Sequence, residues 1–184
     1  MSTPRIVLLN GIGSAGKSSI AKALQNIASE RFLHVSMDAF LEMLPESSFG
    51  QPDGLAFETI ERDGKPVVEI RSGPTVDRAM RGMRHAVAAM AAQGNSLIVD
   101  EVLLGDGMAE YRTLLAGFAL FTVGVHAPLD VLEARERQRG DRLIGLARGQ
   151  FGRVHRGIVY DLEIDSSTAT PMECAERIRE AFGL

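Results

Sequence analysis

The sequence has few of the residues that form disulfides and metal sites. Cys174 is the only cysteine, so no disulfide can form within the chain and no cysteine-based zinc site can be built. The four histidines show no metal-ligand spacing, and we interpret His34 and His126 as strand residues. Lysine occurs only at Lys17, Lys22 and Lys65, so most of the positive charge comes from arginine.

The sequence also lacks an excess of positive charge and a long apolar run. Its net charge of -4 and isoelectric point of about 5.6 argue against nucleic acid or an anionic membrane as the main partner. The apolar segment Ile6–Leu9 near the start is too short for a signal peptide or a membrane span. We therefore expect a cytoplasmic protein, and the sequence leaves its oligomeric state open.

The 184 residues predict one domain of the α/β class. Segments with helical periodicity or caps alternate with short apolar segments, which predicts a parallel sheet with helices on both faces and ligands at the carboxyl ends of the strands. The predicted strands are Ile6–Asn10, Phe32–Ser36, Leu97–Val99, Leu120–Val125 and Val159–Ile164. The predicted helices are Lys17–Ser29, a segment from Val76 to about Gly94, Leu129–Arg139, and a last helix capped by Thr170, Pro171 and Glu173.

An irregular segment, Glu46–Pro74, interrupts this alternation. Within it, Ala56–Glu61 and Lys65–Ile70 are predicted to pair as a hairpin across Asp63-Gly64. Long excursions in compact domains usually serve as lids or substrate sites. We therefore predict that residues 39–74 bind the acceptor. Nearby apolar residues could line its pocket or belong to the core: Phe40, Met43, Leu44 and Phe49.

The first loop matches the phosphate-binding P-loop pattern in full. Its candidate ATP-binding residues are Gly11, Gly13, Ser14, Ala15, Gly16, Lys17, Ser18 and Ser19. Glycines let successive backbone N–H groups face the phosphates, Lys17 can reach the β- and γ-phosphates, and Ser18 can bind Mg²⁺. An apolar strand precedes the loop and an amphipathic helix follows it, as the motif requires. The sequence therefore predicts ATP and Mg²⁺ as cofactors.

Two aspartates follow predicted strands. Asp100 ends the apolar strand Leu97–Val99, where a Mg²⁺-binding carboxylate lies in P-loop proteins, although an aspartate there could also cap a turn. Asp38 follows the second strand and could orient and deprotonate an acceptor hydroxyl. An aspartate before a helix is equally suited to be its N-cap, and position alone leaves both interpretations open.

Arginines cluster in the second half of the chain. We predict that residues 129–148 form a lid over the nucleotide. One face of the helix in this segment carries three arginines: Arg135, Arg139 and Arg142. Cations that close over the transferred phosphoryl group stabilise the charge that develops there. The alternative is a solvated helix whose arginines pair with Glu133 and Glu136.

With these residues in place, the sequence resembles the chloramphenicol phosphotransferase family of P-loop kinases over nearly its whole length. The resemblance rests on these segments: Leu9-Asn10-Gly11, Ser14–Ser18, Asp38, Gly73-Pro74, Ile98–Gly105, Arg135-Glu136, Arg139–Arg142, Val154-His155 and Tyr160-Asp161. It implies a five-stranded parallel sheet like that of nucleoside monophosphate and shikimate kinases, ATP with Mg²⁺, and a role in antibiotic resistance. It also implies that Asp38 is the base, with Lys17 and Arg139 beside it in catalysis, and that Arg135, Arg139 and Arg142 bind ATP.

The sequence departs from that family beside the predicted base and in the acceptor region. Ala39 stands where the family's antibiotic kinase has a serine, and the segment from Pro45 to Ser72 is longer and more polar. We therefore expect a small molecule with a hydroxyl as the acceptor, with chloramphenicol only one candidate. A metabolic kinase is the alternative, because an anionic acceptor could bind Arg71, Arg78, Arg81 and Arg84. A non-catalytic ATP-dependent switch is the other alternative.

Overall fold

The computed structural model describes residues 3–140 and 143–184. Its strands are β1 Arg5–Gly11, β2 Phe32–Ser36, β3 Leu55–Arg62, β4 Lys65–Ser72, β5 Ser96–Glu101, β6 Ala119–His126 and β7 Leu162–Asp165. Its helices are α1 Lys17–Ile27, α2 Met37–Leu41, α3 Pro74–Ala92, α4 Gly107–Leu114, α5 Leu129–Arg139, α6 Leu146–Gln150 and α7 Pro171–Phe182, with a 3-10 turn at Glu46–Ser48.

Five strands form one parallel sheet in the order β2-β5-β1-β6-β7. The predicted fold class is thereby confirmed. The central strands β1 and β5 are buried almost throughout because helices cover both faces, which explains their continuous apolar sequences. Among the residues described, no helix is long and apolar enough to cross a membrane.

Each face of the sheet packs against its own set of helices. On one face Leu24 of α1 and Ile178 of α7 join a core with Val7 and Ile98. On the other, α3 and α4 cover residues such as Leu8 and Val99 with the side chains of Met83, Val87 and Tyr111. The carboxyl ends of the parallel strands meet at one edge of the sheet, which is where α/β proteins bind their ligands.

The hairpin lies outside the main sheet. Strands β3 and β4 pair antiparallel across Asp63 and Gly64, as predicted, and both turn residues have positive φ, 53° and 69°. Two consecutive residues with positive φ are typical of a tight hairpin turn, which Asp-Gly adopts readily. β4 is also joined to α6, because the Val68 N–H donates to the Gly145 carbonyl at 2.9 Å.

The sequence analysis missed two helices and placed the start of the last strand three residues too early. Helices α4 and α6 are short and lie among glycines, so their periodicity is too brief to stand out. β7 begins at Leu162 rather than at Val159, because Val159 is exposed and the Asp161 side chain accepts hydrogen bonds from Thr122 just before the strand. The capping box at the last helix is confirmed: Thr170 and Glu173 bond reciprocally.

Candidate active site

The phosphate loop connects β1 to α1 with two residues in the left-handed region. Ser14 has φ 65° and Gly16 has φ 91°. Left-handed residues in such a loop are typical of backbone nests, in which successive N–H groups can bind an anion. Gly11 must lack a side chain, because a Cβ there would lie 2.5 Å from the Val125 carbonyl oxygen on β6. The buried Lys17 Nζ donates to the carbonyls of Gly11 at 2.8 Å and Ile12 at 3.2 Å.

Asn10, immediately before this loop, is completely buried and fixes it to two other segments. Its Oδ1 accepts from the Leu103 N–H at 2.9 Å. Its Nδ2 donates to the Val154 carbonyl at 3.0 Å and to the Tyr160 hydroxyl at 2.6 Å. The sequence analysis quoted Asn10 only as part of a motif, since its three partners lie far away along the chain.

Asp100 lies on β5 beside the phosphate loop, in register with Leu9 of β1 and Ser36 of β2. His34 Nε2 lies 2.7 Å from its Oδ2, so His34 has a specific partner and is more than a strand residue. Burial raises the pKa of the Asp100 carboxyl, but the hydrogen bonds from His34 and Ser18 and the charge of Lys17 outweigh it and hold the pKa below its usual value. Asp100 is therefore ionised at neutral pH.

Ser18 and Asp100 fit a magnesium ion. They border the same cavity of about 100 Å³ as Lys17 and the loop glycines, and both offer the oxygen ligands that Mg²⁺ prefers. Within residues 3–140 and 143–184 there is no group of three or more histidine, cysteine, aspartate or glutamate side chains that could hold a metal. A pair of protein ligands suits Mg²⁺, which usually keeps water and substrate phosphates in its coordination shell.

Asp38 is the second residue of α2, at the carboxyl edge of β2. The N-cap of this helix is Ser36, whose Oγ accepts from the Ala39 N–H at 3.2 Å, so Asp38 is not the capping residue. Asp38 borders both the phosphate-loop cavity and a much larger cavity beside it. The structure thus places this carboxylate where the two cavities meet.

The predicted lid arginines have different environments. Arg135 donates from Nη1 to Ser166 Oγ at 3.1 Å and from Nη2 to the Ser166 carbonyl at 2.6 Å. Arg135 and Arg139 border a cavity of about 370 Å³ that is also lined by phosphate-loop and α1 residues: Ser14, Ala15, Gly16 and Ser19. Arg139 also borders the phosphate-loop cavity. Arg142 lies outside the described residues.

The two glutamates of α5 bind α6. Glu136 is buried and accepts from the N–H groups of Gly145 and Ala147, at 2.8 Å each. Glu133 pairs with Arg148. The partners that the structure describes for these two glutamates therefore lie on or next to α6. The alternative considered from the sequence, in which they pair with arginines of their own solvated helix, does not match these contacts.

The large cavity, which we call the acceptor cavity, has a volume of about 570 Å³. It lies between α2, the β3–β4 hairpin, α3 and α4, and its apolar lining includes Leu41, Phe57, Ile70, Val76 and Met80. Of the four apolar residues considered for a pocket, Phe40 packs against the core, and none of the four lines this cavity.

A partly buried ion-pair network forms the polar side of the acceptor cavity. Arg84 donates to Glu101 Oε1 at 2.5 Å and to Glu110 Oε2 at 2.6 Å, and the Tyr111 hydroxyl donates to Glu101 Oε2 at 2.7 Å. Burial opposes the charge of Arg84, but the two carboxylates raise its pKa. Arg84 is therefore a neutralised cation. Of the other proposed anion-binding arginines, Arg71 pairs with Glu58 outside the cavity.

His155 and His126 stack beside the Asn10 network, with ring centroids 4.0 Å apart. His155 Nδ1 lies 2.8 Å from the Tyr160 hydroxyl. Burial, followed by the charges of His126 and Lys17, lowers the pKa of His155 to about 4. The ring is therefore neutral at physiological pH and serves as a packing and hydrogen-bonding group behind the phosphate loop.

Comparisons with known proteins agree with this geometry. The family of chloramphenicol phosphotransferase-like proteins matches residues 4–183. Two Mycobacterium tuberculosis proteins, from strains CDC 1551 and H37Rv, carry the provisional name O-phosphotransferase. Each is 32% identical over 189 residues, which cover 99% of this chain and 84% of the relative.

Solved structures show the same fold. A sugar kinase from Janibacter sp. HTCC2649 is 19% identical with a TM-score of 0.68, covering 98% of this chain and 95% of that one. The Mycobacterium tuberculosis APS kinase, solved with AMPPNP and APS, is 17% identical with a TM-score of 0.68 and full coverage of both chains. At these identities the likeness establishes a shared fold over the whole chain.

Proposed function

From the premise that the chain belongs to the chloramphenicol phosphotransferase-like family and is an ATP-dependent phosphotransferase acting on a small-molecule hydroxyl, we propose its base and its acceptor. The base is Asp38, and the acceptor is an uncharged, partly apolar alcohol. The observation that carries the proposal is the position of Asp38, at the junction of the acceptor cavity and the phosphate-loop cavity. A carboxylate there can contact a hydroxyl in one cavity while the γ-phosphoryl group lies in the other.

In the proposed reaction, the acceptor oxygen forms a bond to the γ-phosphorus. The bond between that phosphorus and the β–γ bridging oxygen breaks, and ADP leaves with the bonding electrons. The acceptor proton passes to the Asp38 carboxylate. This in-line geometry requires acceptor and nucleotide on opposite sides of the transferred group, and two adjoining cavities that share Asp38 support such an arrangement.

The nucleotide is proposed to bind through the phosphate loop and the arginines of α5. Lys17 is expected to exchange its contacts with the Gly11 and Ile12 carbonyls for phosphate oxygens, and Arg139 to contact the transferred group. Ser18 and Asp100 would hold Mg²⁺, which neutralises phosphate charge when bound. Residues 129–148 are proposed to form the lid over the nucleotide. The acceptor region, predicted as residues 39–74, is proposed to include α3 and α4 as well, because both helices line the acceptor cavity.

The charge of the acceptor cavity supports an uncharged acceptor. Its lining carries five carboxylates and two guanidinium groups: Asp38, Asp77, Glu101, Asp106 and Glu110 against Arg81 and Arg84. Since Arg84 is already paired with two of those carboxylates, an anionic metabolite would meet net negative charge. The apolar wall suits an alcohol with a hydrophobic portion, and chloramphenicol has that chemistry.

The test is ADP release from ATP and Mg²⁺ with a panel of acceptors that includes chloramphenicol, other neutral alcohols, nucleoside monophosphates and sugar acids. We expect a neutral alcohol to stimulate ADP release, and Asp38→Asn to abolish that stimulation while ADP binding is retained. The matched control is Asp63→Asn at the exposed hairpin turn, where asparagine tolerates the positive φ.

The alternatives have distinct outcomes in the same assay. Stimulation by phosphorylated or carboxylated acceptors alone would overturn the proposed acceptor class. ADP release that no acceptor increases would favour a non-catalytic switch. Stimulation that survives Asp38→Asn would remove Asp38 as the base.

A further inference from the structure

Gln150, the last residue of α6, is a buried polar side chain at the phosphate loop. Only 5% of its surface is exposed, and its Oε1 accepts a hydrogen bond from the Gly13 N–H at 2.8 Å. The two residues are 137 positions apart in the sequence. A glutamine amide at this place is close enough to the phosphate loop to hydrogen-bond a group that binds there.

The contact with Gly13 fixes the orientation of the amide. A backbone N–H can only donate, so the atom that faces it is the carbonyl oxygen, and the Gln150 NH₂ group points the other way. Nε2 makes no hydrogen bond to any residue that the structure describes. Gln150 therefore carries two available N–H donors on a side chain that is nearly buried.

Those donors lie at the boundary where phosphoryl transfer is proposed. Gln150 lines both the acceptor cavity and the phosphate-loop cavity. Five other residues line both: Met37, Asp38, Glu101, Val102 and Leu146. Three of those five side chains are apolar and two are carboxyl groups, so Gln150 is the side-chain N–H donor of this shared boundary among the described residues.

We propose that Gln150 is a catalytic residue that donates a hydrogen bond from Nε2 to an oxygen of the γ-phosphoryl group as that group passes to the acceptor. The inference rests on the proposed function and adds a residue to it. Negative charge on the oxygens of the transferred group needs donors that are already in place, because a donor that must first reorient stabilises it less. No bond to Gln150 forms or breaks in this step.

The surroundings of α6 hold the amide in position. Glu136 binds the first turn of the helix, and Gly149 contacts β4 so closely that a Cβ there would lie 1.9 Å from the Val68 carbonyl oxygen. Contacts with α5, the hairpin and the phosphate loop therefore fix the position of α6 and of the Gln150 amide at its end. Such support from neighbouring groups is what keeps a donor pre-aligned.

The deciding variant is Gln150→Glu. A carboxylate has the same shape and can still accept from the Gly13 N–H, but it replaces the NH₂ group with an oxygen that repels a γ-phosphate. We would titrate wild type and variant with ADP and with AMPPNP by calorimetry, in Mg²⁺ and without an acceptor. We expect ADP affinity to change less than about threefold and AMPPNP affinity to fall about tenfold or more, as for loss of a pre-aligned donor.

Two further variants keep this test decisive. Gln93→Glu, at the exposed end of α3, introduces the same charge far from the site and should alter neither affinity. If Gln150→Glu does not fold, as judged by thermal unfolding, Gln150→Met preserves the size without charge and should also weaken AMPPNP more than ADP. Equal losses for both nucleotides would assign Gln150 a purely structural role, and no loss for either would also overturn the proposal.

The binding test is independent of the acceptor. Should wild-type protein transfer phosphate to no acceptor while Gln150→Glu selectively loses AMPPNP, the proposed function would fall and the γ-phosphate contact would stand. Should wild type transfer phosphate and the nucleotide preference remain unchanged in the variant, the contact alone would be refuted. When both hold, the rate of acceptor phosphorylation should drop about 100-fold in Gln150→Glu.

Discussion

Replacement of Asn10 by alanine should destabilise the protein far more than its small change in volume implies. Asn10 is fully buried and takes part in three hydrogen bonds, to Leu103, Val154 and Tyr160. At about 1 kcal/mol for each bond the loss is roughly 3 kcal/mol, and buried partners left without a replacement raise it to about 3–5 kcal/mol. Tyr160 keeps His155 as a second partner, so the larger penalty falls on the Leu103 N–H.

Urea unfolding at pH 7 measures this loss, with an unchanged m-value as the check that only stability has changed. Asn95→Ala is the matched control, because the Asn95 amide makes a single hydrogen bond, to the Met90 carbonyl at 2.9 Å, and its removal should cost about 1 kcal/mol. If Asn10→Ala costs no more than Asn95→Ala, the reasoning that this residue anchors the phosphate loop to two distant segments is refuted.

Two other predictions follow from contacts beside the site. Burial and the charges of His126 and Lys17 hold the pKa of His155 at about 4, below its ordinary 6.5. The contribution of neutral His155 to the free energy of unfolding is therefore complete above pH 6.5 and is lost as the pH falls towards 4. His155→Gln should flatten this part of the urea-unfolding profile and exposed His85→Gln should not; a wild-type slope in His155→Gln would contradict the assignment. Gly149→Ala should lower the thermal unfolding midpoint and slow acceptor phosphorylation, because its Cβ would collide with the Val68 carbonyl. Gly82→Ala, in open space on α3, should instead be neutral or stabilising by about 0.5–1 kcal/mol, and equal effects of the two variants would rule out a tight helix–hairpin contact.

The sequence predicted the features that local chemistry determines. The phosphate loop follows from glycine spacing between an apolar strand and an amphipathic helix, and the hairpin follows from Asp63-Gly64. The alternation of apolar strands with helices predicted a parallel sheet, and the five strands identified along the chain agree with the number that the resemblance implies. Asp38 and Asp100 could be placed at one edge because both follow strands of the same sheet.

The parts that escaped prediction depend on partners distant in sequence. His34 pairs with Asp100 across 66 positions, and Gln150 reaches Gly13 across 137. Nothing within a short window distinguishes these side chains from ordinary polar residues. The arginines offered for an anionic acceptor show the same limit, since the pairing of Arg84 with Glu101 and Glu110 becomes visible only once α3, β5 and α4 are assembled.

Helix α6 connects the proposed nucleotide site to the acceptor cavity. One short helix is bonded to α5 by Glu136, to the hairpin through Val68 and to the phosphate loop through Gln150. A shift of α5 towards bound nucleotide would therefore also displace one wall of the acceptor cavity. If that displacement tightens the cavity, ATP raises the affinity for the acceptor, and by linkage the acceptor raises the affinity for ATP by the same factor. An enzyme built in this way would hold either substrate alone more weakly than the pair, which limits the loss of ATP to water.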